Sequence, residues 1–326
     1  MRKRRLGGTG TDLSEIGFGA WGLGGAMWLG VDDAEGRAAL ETALDLGVDF
    51  VDTALVYGDG HSERQIGEVL KSRRAAGAVS VATKIPPKDY VWPGKAATPL
   101  SETFPATWVE KCVETSLRNL GTDAIDLEQF HVWQDAWLDS PEWEKTRSTM
   151  ERLEREGKVL HWGVSINDHA PETALRLVSD PLIESAQVIY NIFDRSPEKD
   201  LFALAEKKNL AIIVRVPFDE GALTGAVRPD TVFPLKDWRN RYFREDRKAE
   251  AARRADALAK LLGDEAKTLP ELALRFVLSR PEVSTVIPGM RRTAHARANA
   301  AVSDGRTLSP AMLERLREHA WDKNWY

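Results

Sequence analysis

Cysteine is almost absent from this chain of 326 residues, which contains Cys112 alone. A single cysteine cannot form an intramolecular disulfide or a cysteine-based metal site, so its scarcity fits a reducing compartment. Cys112 lies in a helical pattern of apolar residues that includes Trp108, Val109, Val113 and Leu117. This pattern predicts a buried and inert thiol.

Long hydrophobic runs are also absent. No stretch of about twenty apolar residues occurs, and no charged and then apolar leader precedes a small-residue cleavage site. A net charge of −5 is too small to indicate a nucleic acid or a charged membrane as partner. The basic run at residues 2–5 permits a targeting patch, but beside a hairpin it is more typical of a solvated edge. The sequence therefore predicts a cytoplasmic protein without a membrane partner.

Apolar runs typical of buried strands alternate with amphipathic helical patterns along the chain. The predicted strands are Ile16–Trp21, Phe50–Thr53, Val79–Lys84, Ile125–His131, Leu160–Ser165, Ala186–Tyr190, Leu210–Val216 and Ser284–Ile287. The predicted helices are Asp33–Leu46, Ser62–Arg73, Thr107–Leu120, Ser140–Glu156, Pro171–Val178, Ser196–Lys208, Leu269–Ser279, Thr293–Val302 and Pro310–Trp321. An N-terminal β-hairpin is predicted over Leu6–Ile16, ahead of the first unit.

Eight strand–helix units predict an α/β fold in which one closed (β/α)8 TIM barrel forms a single domain over residues 1–326. A doubly wound open sheet alternates in the same way, but no G-x-G-x-x-G follows the first strand. Three connections are too long to be simple turns: Ile85–Ala106, Val132–Ser140 and Pro217–Asp246. All three follow strands, so they are expected to rise over the C-terminal mouth of the barrel, where active sites lie.

Several polar residues capable of proton chemistry stand at predicted strand ends. Asp52 ends the second strand with Tyr57 five residues beyond it, Lys84 ends the third and His131 the fourth. A tyrosine has a pKa of about 10, and a neighbouring ammonium group lowers that pKa. An aspartate can hold the ammonium group in place. A histidine beside the phenol can bind a substrate oxygen. This set can exchange a proton with a carbonyl or an alcohol, but a cofactor must supply any hydride.

A metal-dependent barrel hydrolase using Asp52 and His131 is an alternative interpretation of the same residues. It lacks a second histidine, because no H-x-H or H-E-x-x-H occurs and His161, His169 and His319 have no clustered partners. No metal site is therefore predicted.

Three segments together resemble the catalytic segments of the aldo-keto reductases: "GVDFVDTALVYGDGHSE", "VATK" and "IDLEQFH". The resemblance runs through nearly the whole chain, from "IGFGAWGLGG" to "TVIPGMRR". It implies a (β/α)8 barrel that reversibly reduces aldehydes or ketones with NADPH. By matching position, Tyr57 is the general acid/base, Asp52 and Lys84 tune it, and His131 orients the carbonyl.

The same resemblance implies a set of cofactor contacts. Ser165 or Asn167 would bind the nicotinamide carboxamide together with Gln187, and Arg215 stands where many members have a tyrosine stacked on the nicotinamide. A guanidinium there would add positive charge and favour carbonyl reduction. Arg291 would pair with the adenosine 2′-phosphate, which predicts NADP(H) rather than NAD(H). The implied set is completed by Trp21, Pro217, Pro288, Gly289 and Asn299.

Eleven tryptophans are unusual, and several fall in predicted loops where aromatic residues often line pockets. Trp21, Trp92 and Trp133 are predicted to line the substrate pocket, and Trp28 and Trp238 also lie in loops. An apolar pocket favours an aromatic or hydrophobic carbonyl substrate, with sugars and methylglyoxal-like aldehydes left open. The C-terminal "HAWDKNWY" either closes over the pocket or makes a contact.

Some relatives of the aldo-keto reductases act as regulatory channel subunits that use bound cofactor as a redox sensor. A cofactor-sensing binding subunit is therefore the second functional interpretation. The sequence makes no prediction of the oligomeric state.

Overall fold

Eight parallel strands form a closed barrel in the computed structural model, which describes residues 1–25, 27–30, 32–73 and 79–326. Each strand pairs in parallel with its neighbour along the chain. The first and last strands meet through parallel bridges from Ile16 to Val286 and from Gly19 to Gly289. The strands are β3 (Phe18–Gly19), β4 (Phe50–Asp52), β5 (Ser80–Ile85), β6 (Leu127–Phe130), β7 (Trp162–Ser165), β8 (Ile183–Ile189), β9 (Ala211–Arg215) and β10 (Val283–Val286). The predicted (β/α)8 barrel is confirmed.

The N-terminal hairpin is made of β1 (Lys3–Arg5) and β2 (Asp12–Ser14), so the predicted hairpin exists but starts earlier than Leu6. It covers the end of the barrel where the strands begin. Gly7 has φ +48°, and a Cβ there would lie 2.4 Å from the backbone nitrogen of Ala211, so only glycine allows this approach. Arg4 donates hydrogen bonds to three backbone carbonyls beside β10, so the basic run is partly used in sealing this end.

Helices surround the barrel between successive strands. Their bounds are α1 (Asp33–Asp45), α2 (His61–Arg73), α3 (Leu100–Thr103), α4 (Ala106–Leu120), α5 (Glu142–Arg155), α6 (Leu201–Lys208), α7 (Arg239–Tyr242), α8 (Arg247–Ala259), α9 (Leu269–Leu278), α10 (Thr293–Ala300) and α11 (Pro310–Arg317). Cys112 is buried in α4, as the sequence predicts. Among the described helices, none is both long and apolar enough to cross a membrane.

Two helical predictions differ from the structure. The predicted helix at Pro171–Val178 is instead a pair of short 3₁₀ turns, because Pro181 forces Asp180 into an extended conformation and leaves little room for a helix. Helix α8 was not predicted. Its buried face consists of Ala251, Ala252, Ala255 and Leu258, and alanines contribute only a weak hydrophobic pattern.

The three long connections all reach the C-terminal mouth of the barrel, as predicted. The first carries α3, the second a 3₁₀ helix at Asp135–Asp139, and the third a 3₁₀ helix at Asp219–Thr224 followed by α7. Residues from all three line one cavity at the ends of the strands. The fold therefore brings the predicted strand-end residues and the long connections to a single place.

Candidate active site

A cavity of about 1510 Å³ opens at the C-terminal mouth of the barrel. Strand ends form its floor, and the long connections and the last residue of the chain form its walls. Its lining includes Asp52, Tyr57 and His131, and the neighbouring Lys84 lies buried directly beneath. Such a cavity exceeds what one small substrate needs and can hold a cofactor together with a substrate.

A buried ion pair lies at the floor of the cavity. The Lys84 Nζ donates hydrogen bonds to Asp52 Oδ1 and to the Thr53 carbonyl, each at 2.6 Å. The Lys84 side chain is fully buried. Burial lowers the pKa of Lys84, while the negative charge of Asp52 opposes that effect. Because β4 and β5 are adjacent parallel strands, their ends place these two charges side by side.

Tyr57 lies above this ion pair. Its ring centroid is 5.2 Å from Lys84 Nζ and 5.8 Å from the centre of the His131 ring. Burial raises the pKa of the phenol above its ordinary value, and the charge of Asp52 acts in the same direction. The pKa of Tyr57 therefore shifts in the opposite direction to the predicted lowering, because burial has the largest effect on it. Tyr57 is a neutral phenol at neutral pH.

His131 faces the same cavity from the end of β6. Burial lowers the pKa of His131 well below its usual range, and the positive charges of Lys84 and Arg215 add to the effect. The imidazole is therefore neutral at neutral pH. Its Nδ1 is buried without a hydrogen-bond partner among the described residues.

Most of the residues predicted to bind a cofactor line this cavity: Trp21, Ser165, Gln187, Arg215, Pro217, Gly289, Arg291 and Asn299. The Gln187 amide nitrogen donates a hydrogen bond to Asp52 Oδ2 at 2.6 Å, so a side chain of β8 contacts the ion pair. Arg215 pairs with Asp168 at 2.6 Å, and its Nε is buried without a partner. Arg215 is therefore held in place by an ion pair, and its positive charge still lowers the pKa of His131.

Two predicted cofactor contacts are not on the cavity wall. Asn167 accepts a hydrogen bond from the Gly94 backbone and donates one to the Trp133 carbonyl, so its amide joins two loops. Pro288 contributes its carbonyl to barrel closure, where it accepts a hydrogen bond from the Gly19 nitrogen. Of the two alternatives for the carboxamide, Ser165 lines the cavity and Asn167 does not.

Three observations favour a bound dinucleotide. The Nδ2 of Asn299 is buried and has no partner among the described residues. Arg291 donates to the Leu29 carbonyl at 2.8 Å but has no carboxylate partner in the described part of the chain. A Cβ placed on Gly289 would meet only open space. The Asn299 amide can therefore hydrogen-bond a nucleotide base, and the Arg291 guanidinium can pair with an anionic group of the same ligand.

The predicted substrate-pocket tryptophans divide between the cavity and the core. Trp21 and Trp92 line the cavity, and the Trp92 ring lies 6.0 Å from His131. The prediction for Trp133 is wrong, because its side chain is fully buried against Phe130 and Trp137, at 5.0 and 5.3 Å. His131 and Val132 face the cavity, and the chain then turns Trp133 into the core.

We expect Trp133→Leu to lower the free energy of unfolding by about 2–4 kcal/mol, because it removes aromatic volume from a filled core. The matched change Trp92→Leu, at a side chain that is 39% exposed, is expected to cost about 0.5 kcal/mol or less. Urea denaturation measures both. Equal losses from the two variants would contradict these placements.

Several residues that line the cavity were not predicted as site residues. Trp28 and Trp238 were visible only as loop tryptophans, and Asp168 and Glu220 carried no motif. Tyr326, the last residue, also lines the cavity, so the aromatic C-terminal segment closes over it. The aromatic composition of that segment was the available signal.

The chain matches the model of the aldo/keto reductase family over residues 15–320. It is 31% identical to the aldo-keto reductase YhdN of Bacillus subtilis (strain 168), over 95% of this chain and 90% of that protein. It is 27% identical to an NADH-specific methylglyoxal reductase of Escherichia coli (strain K12), over 98% of each chain. The structure of a glycerol dehydrogenase from Gluconobacter oxydans is similar with a TM-score of 0.78 and 29% identity, covering 97% of this chain and 94% of that one.

Proposed function

The chain belongs to the aldo/keto reductase family, and from that premise we propose that it reduces an aldehyde or ketone to the alcohol with hydride from NADPH. One observation carries the proposal: a protonated phenol, Tyr57, lies between the neutral imidazole of His131 and the buried Asp52–Lys84 pair at the floor of a large cavity. We extend the proposal to a cytoplasmic protein that acts as one domain over residues 1–326 and takes a small carbonyl compound as substrate.

NADPH, when bound, supplies the hydride that the carbonyl carbon receives. Tyr57 donates its phenolic proton to the carbonyl oxygen, so that the two transfers together yield the alcohol. His131 binds the same oxygen and holds it toward the phenol. Because its pKa is lowered by burial, His131 orients the carbonyl as a neutral hydrogen-bonding group and does not compete as the acid.

The Asp52–Lys84 pair acts after the proton has left. The phenolate that remains on Tyr57 is a buried anion, and the Lys84 ammonium at the edge of its ring stabilises it. Asp52 keeps Lys84 charged despite burial. The raised pKa keeps Tyr57 protonated at neutral pH, so the phenol holds the proton that reduction requires.

The residues that would hold the cofactor lie along one side of the cavity. Ser165 and the Gln187 amide oxygen would bind the nicotinamide carboxamide, with Arg215 and Pro217 beside the ring. Asn299 would contact the adenine and Arg291 the 2′-phosphate. NADP(H) is the proposed form even though one relative is named as NADH-specific, because Arg291 has no carboxylate partner in the described residues and its pKa is lowered by burial and by Arg239. A bound phosphate would relieve that repulsion.

We expect Arg291→Met to raise the Kd for NADPH about tenfold or more and to leave the Kd for NADH within about twofold, because a charge-assisted phosphate contact contributes about 1.5–3 kcal/mol. The adjacent Arg292→Met is the control, since Arg292 is exposed and pairs with Glu35. Quenching of tryptophan fluorescence measures each Kd. Equal wild-type affinities for NADPH and NADH would count against the role of Arg291.

Reduction of a panel of aldehydes tests the function as a whole, with loss of the reduced-nicotinamide absorbance as the readout. Turnover with at least one aldehyde is expected. Slow turnover with every aldehyde, together with tight retention of the cofactor, would instead support the cofactor-sensing subunit.

A further inference from the structure

Glu220 is a buried carboxyl group on the cavity wall that the proposed reduction does not use. It lies in the connection after β9, where Val216, Asp219 and Glu220 all have positive φ, at +54°, +48° and +55°. Non-glycine residues rarely adopt this conformation, and those that do cluster at functional sites. Within the described part of the chain its one hydrogen bond comes from the phenol of Tyr326.

Aromatic rings connect Glu220 to the catalytic end of the cavity. The Tyr326 ring lies 6.0 Å from Trp238, and Trp238 lies 6.4 Å from Trp21. Trp21 in turn lies 6.2 Å from Tyr57. Glu220, Tyr326 and Tyr57 line the same cavity, and the charge of Glu220 raises the pKa of Tyr57, so Glu220 acts electrostatically on the place where a carbonyl substrate would react.

Asp59 is exposed to solvent on the rim of the cavity, and the other acids near Glu220 and Tyr57 have cationic partners. Asp52 pairs with Lys84 and Asp168 with Arg215, each at 2.6 Å. Asp219, next to Glu220, pairs with Lys323 at 2.9 Å. Glu220 has no such ion pair among the described residues. When it is ionised, this end of the cavity therefore carries one uncompensated negative charge.

Two arginines of the cavity lining contribute positive charge. The guanidinium groups of Arg239 and Arg291 lie 4.4 and 5.2 Å from the ring of Trp28, and Trp28 contacts Trp21 at 5.6 Å. Arg239 is paired with Asp237, but Arg291 has no carboxylate partner in the described ranges. The cavity lining thus carries arginine side chains suited to the phosphates of the cofactor and, separately, the carboxyl group of Glu220, which has no ion pair among the described residues.

We infer that Glu220 determines substrate specificity by excluding carbonyl compounds that carry a carboxylate or another anionic group, so that the substrates are neutral or cationic aldehydes and ketones. This inference rests on the proposed function. Two like charges repel more strongly inside a protein than in bulk water, because the effective dielectric constant is lower. The aromatic walls add to the preference, because the faces of indole and phenol rings attract cations.

The charge of Glu220 changes near neutral pH. Burial raises its pKa to about 7, with Asp219 and Asp168 acting in the same direction. The hydrogen bond from Tyr326 and the charge of Arg215 oppose the shift. Exclusion of anionic substrates should therefore be weak below pH 7, where the carboxyl is protonated, and strong above it.

Three para-substituted benzaldehydes test the inference, with carboxylate, methyl and trimethylammonium substituents. For each, kcat/KM of Glu220→Gln is divided by that of the wild type, which cancels the intrinsic reactivity of the aldehyde. At pH 8 we expect a ratio of about ten or more for the carboxylate, within twofold of one for the methyl compound, and below one for the cation. At pH 6 the three ratios should converge. Asp59→Asn removes an exposed acid on the rim of the same cavity and should leave all three ratios near one.

Fluorescence-monitored binding of the same aldehydes separates this inference from the proposed function. If the wild type reduces none of these aldehydes, the proposed reductase function is contradicted. The Kd values of the three aldehydes still show whether Glu220 disfavours binding of the carboxylate. Equal ratios for all three substituents would overturn the inference, as would a changed Kd for NADPH with unchanged discrimination between substrates.

Thermal unfolding shows whether the variant keeps its structure and checks the pKa independently. The folded protein raises the pKa of Glu220 from 4.5 to about 7, so the native state holds this proton more tightly than the unfolded state does. Wild-type stability attributable to this group therefore falls as pH rises from about 4.5 to about 7. The Tm of Glu220→Gln relative to the wild type should rise across the same window, and a pH-independent difference would contradict the inference.

Discussion

Tyr57→Phe is expected to lower kcat for aldehyde reduction by about 10²–10⁴-fold, the usual contribution of a positioned general acid. The substitution removes the proton donor and keeps the ring that packs near Trp21 and His131. Because the lost interaction is made with the reacting oxygen, the Kd for NADPH should stay within about twofold. Steady-state kinetics and fluorescence titration measure the two quantities on the same preparation.

The matched control is Tyr90→Phe, the same chemical change at an exposed tyrosine. It should leave kcat unaltered. A Tyr57→Phe protein that keeps most of the wild-type activity would sink the proposed mechanism, since no other phenol stands between His131 and the buried ion pair in the described structure. Tyr326 is the nearest alternative phenol on the cavity wall, and its hydroxyl is already donated to Glu220.

The pH dependence of kcat is a second test of proton donation by Tyr57. Burial raises the pKa of Tyr57 above 10, and burial lowers that of His131 below 6.5. Between these limits the phenol keeps its proton and the imidazole stays neutral. The kcat for reduction, measured at saturating substrate that carries no charge, should therefore be flat from about pH 7 to pH 9. A fall within that range would mean that the phenol ionises earlier than its surroundings indicate.

Strand ends account for what the sequence could predict about the site. In parallel strands of a closed barrel, the residue that ends each strand must point to one mouth, so Asp52, Lys84 and His131 converge whatever the details of packing. The barrel itself followed from eight apolar runs at regular intervals, which periodicity detects well. Both features depend on the order of strands and helices along the sequence and little on how individual side chains pack.

Side-chain direction beyond the strand ends was not predictable in the same way. Trp133 follows His131 by two residues, yet one loop turn places it in the core against Phe130. The sign of the Tyr57 pKa shift also depends on burial, which no motif encodes. Glu220 and Tyr326 meet across 106 residues through a loop of unusual backbone conformation, so their contact has no local sequence signal.

Lys84→Met is expected to lower the free energy of unfolding by about 3–5 kcal/mol and also to reduce activity strongly. The stability loss arises because the Asp52 carboxylate would remain buried with only the neutral amides of Gln187 and Gln129 to bind it, at 2.6 and 3.5 Å. The activity loss arises because the phenolate formed on Tyr57 would no longer face an ammonium group. Guanidinium denaturation and steady-state kinetics measure the two losses.

The double variant Asp52→Asn/Lys84→Met separates the two effects. Removing both charges leaves no uncompensated ion, so most of the stability should return, because a buried pair is often replaceable by neutral groups at little cost. The activity should not return, since the ammonium group is still missing. Lys158→Met, which breaks the solvent-accessible pairs with Glu114 and Glu156, serves as the control and should change stability little. If the double variant regained full activity, the ion pair would be a structural feature of the floor and Lys84 would have no part in the proton transfer.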